Sequence, residues 1–199
     1  KVYEVYAKSG KPGTVTIKNA QKSGIMIEKV DIDGKGIAGA SFNIFRFGED
    51  TPLPNTPVTT GADGTVTIRR VTPGHYQIQE LRPANGYLPN DRVYDVTVEE
   101  GVQKLTKVQV VNHRAPDLTI VKRDSRTGKA LAGAMFTVEK LENPDKGFVT
   151  GSPFTTDDKG EILLKDLKPG AYKVCEVKVP NSYESGQETH IVNLVADED

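Results

Sequence analysis

Three residues in the first half of the chain carry groups that can pair or react in a buried site. They are the amine of Lys29, the carboxyl of Glu80 and the carboxamide of Asn112. Lys29 and Glu80 end the alternating segments 25–29 (IMIEK) and 76–80 (YQIQE). Because side chains two apart in a strand point the same way, both polar groups face where the apolar residues face. A charge directed into a core is costly unless a partner meets it. The simplest expectation is a buried Lys–Glu ion pair that is capped by the amide.

The same pattern occurs a second time along the chain. The second copy contains the lysine and the glutamate as Lys122 and Glu176. The spacing between the copies is that of one small domain, so the repeat predicts two modules in tandem, 22–114 (module 1) and 115–199 (module 2). The matched segments are 25–45 with 118–138, 60–74 with 156–170, and 76–87 with 172–183.

The elements that position these residues are predicted to be β-strands throughout. Apolar residues recur at alternate positions, and Asp-Gly, Pro-Gly and Lys-Gly turns separate short runs rich in Val, Ile, Thr and Tyr. We therefore predict an all-β chain of two Ig-like β-sandwich modules in an elongated arrangement, joined by a short linker that limits bending. The strands expected in module 1 are 24–30, 40–47, 65–70, 76–81, 92–99 and 106–112, with an exposed proline-rich loop at 50–57.

The repeat is out of phase with the ends of this sequence. Residues 1–21 resemble the last hairpin of module 1, so they are expected to be the terminal hairpin of a preceding module. Residues 14–19 (TVTIKN) match residues 107–112 (KVQVVN), with Asn19 at the position of Asn112. Module 2 has no counterpart of this last strand, so we expect its sandwich to be open at one edge.

These motifs resemble the CnaB-type (prealbumin-like) modules of Gram-positive pilins and surface adhesins. In module 1 the resemblance rests on EKVD, GIAGASF, DGTVTIRRVTPGHYQIQE and VVN. In module 2 it rests on VKRD, ALAGAMF and KGEILLKDLKPGAYKVCE. The resemblance covers nearly the whole chain. Pro83 lies one position closer to its glutamate than Pro180 does, and Ser182 stands where the family usually has Gly, but neither departure involves the three polar residues.

The resemblance implies that Lys29 and Asn112 join in a spontaneous isopeptide bond with Glu80 as the catalyst. A lysine with an ordinary pKa of about 10.4 is protonated in water, but burial lowers its pKa. The neutral amine can then attack the side-chain carbonyl of Asn112, while protonated Glu80 polarises that carbonyl and carries protons until ammonia leaves. Folding supplies the proximity. This is a single turnover on the chain itself, so the protein is not expected to be an enzyme.

In module 2 the resemblance implies Lys122 as the amine and Glu176 as the catalyst, but it leaves the amide partner open. Asn19 of another chain matches Asn112 best, in a head-to-tail association. Asn193 is the weaker alternative because it aligns with Thr97 in the next-to-last strand. A third possibility is that module 2 forms no bond.

Composition limits the other functions. Lys and Arg total 26 and Asp and Glu 27, which disfavours nucleic acid as a partner, and no apolar run has the length of a membrane span. The lone Cys175 is not expected to be a reactive thiol, and the scattered His75, His113 and His190 suggest neither a metal nor a cofactor.

The expected function is a stalk or shaft module of an extracellular, cell-wall-anchored pilin or adhesin, with neighbouring modules or subunits of the same fibre as its partners. The alternative is an adhesin module that binds a host protein or glycan through loops 50–57 and 143–153.

Overall fold

The computed structural model describes residues 23–100, 104–180, 183–184 and 188–197, and every regular element in them is a β-strand. The predicted hairpin at 1–21 lies outside the described residues. Module 1 contains β1 (Gly24–Val30), β2 (Ser41–Arg46), β3 (Val58–Thr59), β4 (Thr65–Arg69), β5 (Gly74–Arg82), β6 (Tyr94–Val98) and β7 (Leu105–Val111). Module 2 contains β8 (Leu118–Val121), β9 (Met135–Lys140), β10 (Gly147–Phe148), β11 (Phe154–Thr155), β12 (Glu161–Leu164), β13 (Gly170–Lys178) and β14 (Thr189–Leu194).

Module 1 is a sandwich of two sheets with the strand orders β4-β1-β7 and β3-β2-β5-β6. The central strand β1 pairs antiparallel with β4 and parallel with β7. Alternate residues of both sheets face inward and form one core, as in other face-to-face packed sheets. Its buried strand residues are Ile25, Ile27, Phe42, Ile44, Tyr76, Ile78, Val96, Val98 and Val110.

Module 2 repeats this plan with one difference. Its larger sheet has the order β10-β9-β13-β14, with β11 also paired to β9, and its smaller sheet is β12-β8. In the part of the chain that the structure describes, β8 has no parallel neighbour corresponding to β7. The core is again apolar: Leu118, Ala134, Phe136, Val138, Ile162, Leu164, Leu167, Tyr172, Val174 and Leu194.

The all-β prediction is confirmed, and the predicted strands of module 1 are present with small shifts at their ends. The second strand starts at Ser41 because Gly39 has a φ of +87°, and because the N–H of Ala40 donates to the hydroxyl of Thr60 instead of to a neighbouring strand. No helix in the described residues has the length and apolar character that a membrane span requires.

Arg114, the last residue of module 1, connects the two modules. Its guanidinium lies 2.6 Å from the buried carboxylate of Asp31, and its backbone N–H donates to Asp197 near the end of module 2. Nδ1 of His113 lies 2.8 Å from the backbone oxygen of Asp197. The hydrogen bond from Arg114 lowers the pKa of Asp31, although burial opposes the shift.

Candidate functional site

The parallel pairing of β1 and β7 brings the three polar residues of module 1 together. In this register Lys29 lies opposite Val110, and the N–H of Asn112 donates to the backbone oxygen of Val30 at 3.0 Å. Glu80 lies on β5 in the facing sheet. Lys29 and Asn112 are essentially inaccessible to solvent, at 0% and 1% exposure. Lys29 faces inward because of the alternation along β1, and Asn112, one residue beyond the end of β7, continues the alternation of that strand. The amine and the carboxamide therefore lie at the same end of the core.

The carboxamide of Asn112 is held directly by the glutamate. Its Nδ2 donates to both carboxylate oxygens of Glu80, at 2.9 and 3.0 Å. The amine of Lys29 donates to the backbone oxygen of Val110 at 3.1 Å. The remaining oxygen of Asn112, Oδ1, is buried and accepts no hydrogen bond. The expected simple ion pair is therefore replaced by a Glu–carboxamide contact, with the amine bound to a backbone carbonyl.

The environment of Lys29 increases the fraction of its amine that is neutral. Burial lowers the pKa of the amine from 10.5 to about 8, while the negative charges of Glu80 and Asp31 oppose the shift. At pH 7 about a tenth of such an amine is unprotonated, compared with about 1 in 3,000 at the ordinary pKa. Burial therefore raises the neutral fraction of this amine by more than a hundredfold near neutral pH.

Asn90 also belongs to this cluster, although the sequence analysis did not identify it. Its backbone N–H donates to Oε2 of Glu80 at 2.8 Å. Its side-chain Nδ2 donates to the backbone oxygen of Val111 at 2.8 Å and to the hydroxyl of Tyr94 at 3.0 Å. Asn90 therefore fixes both the carboxylate and the end of β7. Its only sequence signal was its place in the loop before β6.

In module 2 the corresponding lysine and glutamate form an ion pair. Nζ of Lys122 lies 2.9 Å from Oε2 of Glu176, and their side chains are 27% and 4% exposed. The other oxygen, Oε1, is buried and accepts no hydrogen bond. The backbone is equivalent to that of module 1, because the N–H of Lys122 donates to Gly160 as the N–H of Lys29 donates to Gly64.

A groove of about 650 Å³ runs along β8 beside this ion pair. Its lining includes Leu118, Ile120, Phe136, Glu176 and Val192. It lies along the edge of module 2 that we expected to be open.

The structure separates Asn193 from this pair. Asn193 is exposed on β14 and lies opposite Ala171, five residues along β13 from Glu176. Five residues of strand span about 17 Å. The suggestion that Asn193 partners Lys122 is therefore wrong for this structure. Asn19, the other suggested partner, lies outside the described residues.

The remaining candidate residues form no second cluster. Sγ of Cys175 lies 3.3 Å from the hydroxyl of Thr189, and His75 contacts Thr97. Among the described residues, no group of three or more His, Cys, Asp or Glu side chains is placed to hold a metal ion. Phe148, in loop 143–153, is a large apolar side chain that is 66% exposed, but a single exposed aromatic is ordinary for a protein surface.

The family model described as a SpaA prealbumin-like fold domain matches residues 23–114 and, separately, residues 116–199. The structure is similar to a streptococcal ancillary pilin, with a TM-score of 0.52 and 23% identity over 88% of this chain and 59% of that one. It is also similar to the shaft pilin SpaA from Lactobacillus rhamnosus GG, with a TM-score of 0.56 and 17% identity over 88% of this chain and 94% of the pilin. The chain thus spans less than two thirds of the ancillary pilin. No curated protein matches. At these identities, the likeness to solved structures concerns the fold.

Proposed function

Because this chain belongs to the SpaA prealbumin-like domain family, we propose that it is a structural module of a Gram-positive surface fibre, stiffened by an autocatalytic amide bond between Lys29 and Asn112. The observation that supports this most directly is the contact of the Asn112 carboxamide with both oxygens of Glu80, next to a buried amine whose pKa is lowered. Such a constellation is unnecessary for packing alone, since apolar residues of similar size fill a core at lower desolvation cost.

The reaction is an exchange of one amide for another. A half-turn of the Asn112 carboxamide directs Oδ1, which accepts no hydrogen bond, toward Glu80. Transfer of a proton from Lys29 to Glu80 leaves a neutral amine and a carboxyl group, and the carboxyl then polarises the carbonyl as the amine attacks Cγ. A proton passes from the attacking nitrogen through Glu80 to Nδ2, the Cγ–Nδ2 bond breaks, and ammonia leaves. Asn90 positions Glu80 through its backbone N–H.

The bond would change how module 1 carries force. Strands β1 and β7 are parallel, with Gly24 paired to Leu105 at one end and Val30 paired to Val111 at the other. A pull that enters at Gly24 and leaves after Asn112 would load β1 only as far as Lys29 and then cross the new amide. Residues 30–111 would lie outside the load path. As an entropic cross-link, the bond is worth on the order of 4 kcal/mol, by analogy with a disulfide closing a loop of this length.

This role implies an extracellular, cell-wall-anchored location and neighbouring modules or subunits of the same fibre as partners. Glu176 would be the catalyst in module 2. The chain acts once on itself and turns over no substrate.

Mass spectrometry tests the proposal. We expect the protein to weigh less than its sequence by one ammonia for the module 1 bond, and a Lys29–Asn112 linked peptide after digestion. Lys29→Ala, Glu80→Ala and Asn112→Ala should each restore that mass, lower Tm and increase cleavage by trypsin. Asn85→Ala, at an exposed asparagine of the same module, is the control and should keep the bond. An intact Lys29 in the digested wild type would refute the proposal.

A further inference from the structure

A groove on module 1 contains three arginines and lies apart from the site of the proposed amide bond. Its volume is about 540 Å³, and its lining includes Arg46, Arg69 and Arg70. Apolar side chains such as Leu53 also line the groove and pack against the core. In the register of β2 against β5, Arg46 and Glu80 lie toward opposite ends. The groove therefore combines positive charge with apolar surface.

None of these three arginines pairs with a carboxylate of the described residues. In that part of the chain, the ion pairs made by arginine are those of Arg114 with Asp31 and Asp33. Glu49 and Asp50, in the loop after β2, are exposed, and neither forms an ion pair with another described residue. A cleft lined by charges of one sign attracts ions of the opposite sign. The groove is therefore suited to an anionic group.

Arg46 is held in position by the residues around it. One of its nitrogens, Nη2, donates to the hydroxyl of Thr72 at 2.6 Å, and its guanidinium carbon lies 5.5 Å from the centre of the Tyr76 ring. The hydroxyl of Tyr76 donates in turn to the backbone oxygen of Thr72 at 2.7 Å. A guanidinium has five N–H donors, so this arrangement orients the group and leaves donors for a ligand.

The equivalent position in module 2 binds a carboxylate. Lys140 lies opposite Tyr172 in the sheet, as the arginine of module 1 lies opposite its tyrosine, and its Nζ is 5.9 Å from the centre of the ring. Lys168 is the counterpart of Thr72, because the tyrosine hydroxyl of each module donates to the backbone oxygen of that residue. The carboxylate of Asp145 lies 3.8 Å from Nζ of Lys140 and 2.9 Å from Nζ of Lys168. The hydrogen bond from Lys168 lowers the pKa of Asp145, which keeps this carboxylate charged.

The loop that carries Asp145 is two residues longer than its counterpart in module 1. Both loops lead to a residue whose backbone N–H donates to the preceding strand, Leu53 in module 1 and Val149 in module 2. Leu53 follows Arg46 by seven positions, whereas Val149 follows Lys140 by nine. Module 1 therefore has the cation and the tyrosine, but its shorter loop does not bring a carboxylate to them.

We propose that the groove of module 1 binds an acidic segment of a partner protein, with an aspartate or glutamate side chain of that segment at Arg46. A peptide is the expected occupant because the carboxylate at the equivalent position of module 2 belongs to a peptide loop. The guanidinium of Arg46 supplies charge-assisted hydrogen bonds, and Arg69 and Arg70 add favourable charge. The apolar lining contacts the neighbouring side chains of the segment. This inference does not depend on the amide bond of module 1.

An NMR titration of the full-length protein tests the inference. The probe is a five-residue peptide of alternating valine and aspartate with blocked ends, and the signals observed are those of the arginine Nε–Hε groups. We expect the signal of Arg46 to shift, and the affinity to fall as NaCl is added. The same peptide with asparagine in place of aspartate should bind about tenfold more weakly or worse, since it lacks the charge.

Variants of the arginines identify the groups that bind. Arg46→Gln should weaken binding by about tenfold, whereas Arg46→Lys should retain most of it, because a lysine binds the carboxylate in module 2. Arg69→Gln and Arg70→Gln should each weaken binding by about two- to fivefold. Arg82→Gln, at an exposed arginine of β5 outside the groove, is the control and should bind as wild type does.

A loop exchange provides a second measurement that does not alter the arginines. Replacement of residues 47–52 by residues 141–148 would bring a carboxylate of the chain itself to Arg46, and it should abolish the shifts caused by the peptide. Equal binding of the aspartate and asparagine peptides, or affinities unchanged in Arg46→Gln and in the loop exchange, would overturn the inference. So would binding of a short polyphosphate without binding of the peptide, which would indicate a phosphate polymer as the ligand.

Discussion

Replacement of Asn112 by alanine removes the amide partner and should leave Lys29 as a free buried amine. The pKa of that amine is about 8 in the folded chain, against an ordinary value of 10.5. Between these two values the unfolded chain holds a proton that the folded chain has lost. The free energy of unfolding therefore rises with pH through this window. At about 1.36 kcal/mol for each pKa unit, the whole rise is about 3 kcal/mol.

The assay is chemical denaturation of Asn112→Ala at a series of pH values from 7 to 11. We expect its free energy of unfolding to rise from about pH 8 and to level off above about pH 10.5, where lysine is neutral in both states. The cross-linked wild type should lack this rise, because an amide nitrogen does not titrate in this range.

The control is the double variant Lys29→Met/Asn112→Ala, which keeps an unbranched side chain of similar length but has no amine at position 29. It shares every other titrating group, so subtraction of its curve isolates Lys29. If the two curves are parallel across the window, Lys29 is not a desolvated amine and the basis for its reactivity is wrong.

Three further perturbations test the surroundings of the site. Glu80→Gln keeps the shape of the side chain but loses the group that carries protons. The cross-linked fraction of freshly made protein, measured by mass, should therefore rise far more slowly than in wild type. Equal rates would contradict the catalytic role of Glu80. Asp31→Asn removes a carboxylate whose pKa is lowered by Arg114. The free energy of unfolding of this variant should lie below that of wild type by an amount that is constant above pH 3.8, the ordinary pKa of Asp, and that shrinks as the pH falls below this value. A difference that is independent of pH would contradict the assignment. Gly64→Ala would place Cβ 2.6 Å from the backbone oxygen of Lys29 at a φ of +77°, whereas Gly34→Ala has the same φ with no atom within 4 Å. Gly34→Ala should therefore lower the free energy of unfolding by about 1–2 kcal/mol from backbone conformation alone, and Gly64→Ala should lower it clearly more. Equal losses for the two variants in chemical denaturation would refute the steric argument.

The fold and the main site were predictable because they depend on patterns that a sequence displays directly. Alternation placed Lys29 and Glu80 on inward faces, and the internal repeat placed Lys122 and Glu176 at the equivalent positions of module 2. The contribution of Asn90 was not predictable, since it donates to Glu80 through a backbone N–H whose direction depends on the conformation of a loop. Nor was the hydrogen bond of Lys29 to Val110 predictable, because it depends on the register of β1 against β7.

A comparison of the two modules indicates that the last strand determines which acceptor the lysine amine binds. Where β7 is present, the amine of Lys29 donates to a carbonyl of that strand, and the carboxylate of Glu80 holds the amide of Asn112. Where the structure describes no such strand, the amine of Lys122 donates to Glu176 instead. The side chain of Lys122 in that pair is 27% exposed. In module 1 the last strand therefore supplies both the acceptor for the lysine and the amide that the glutamate holds.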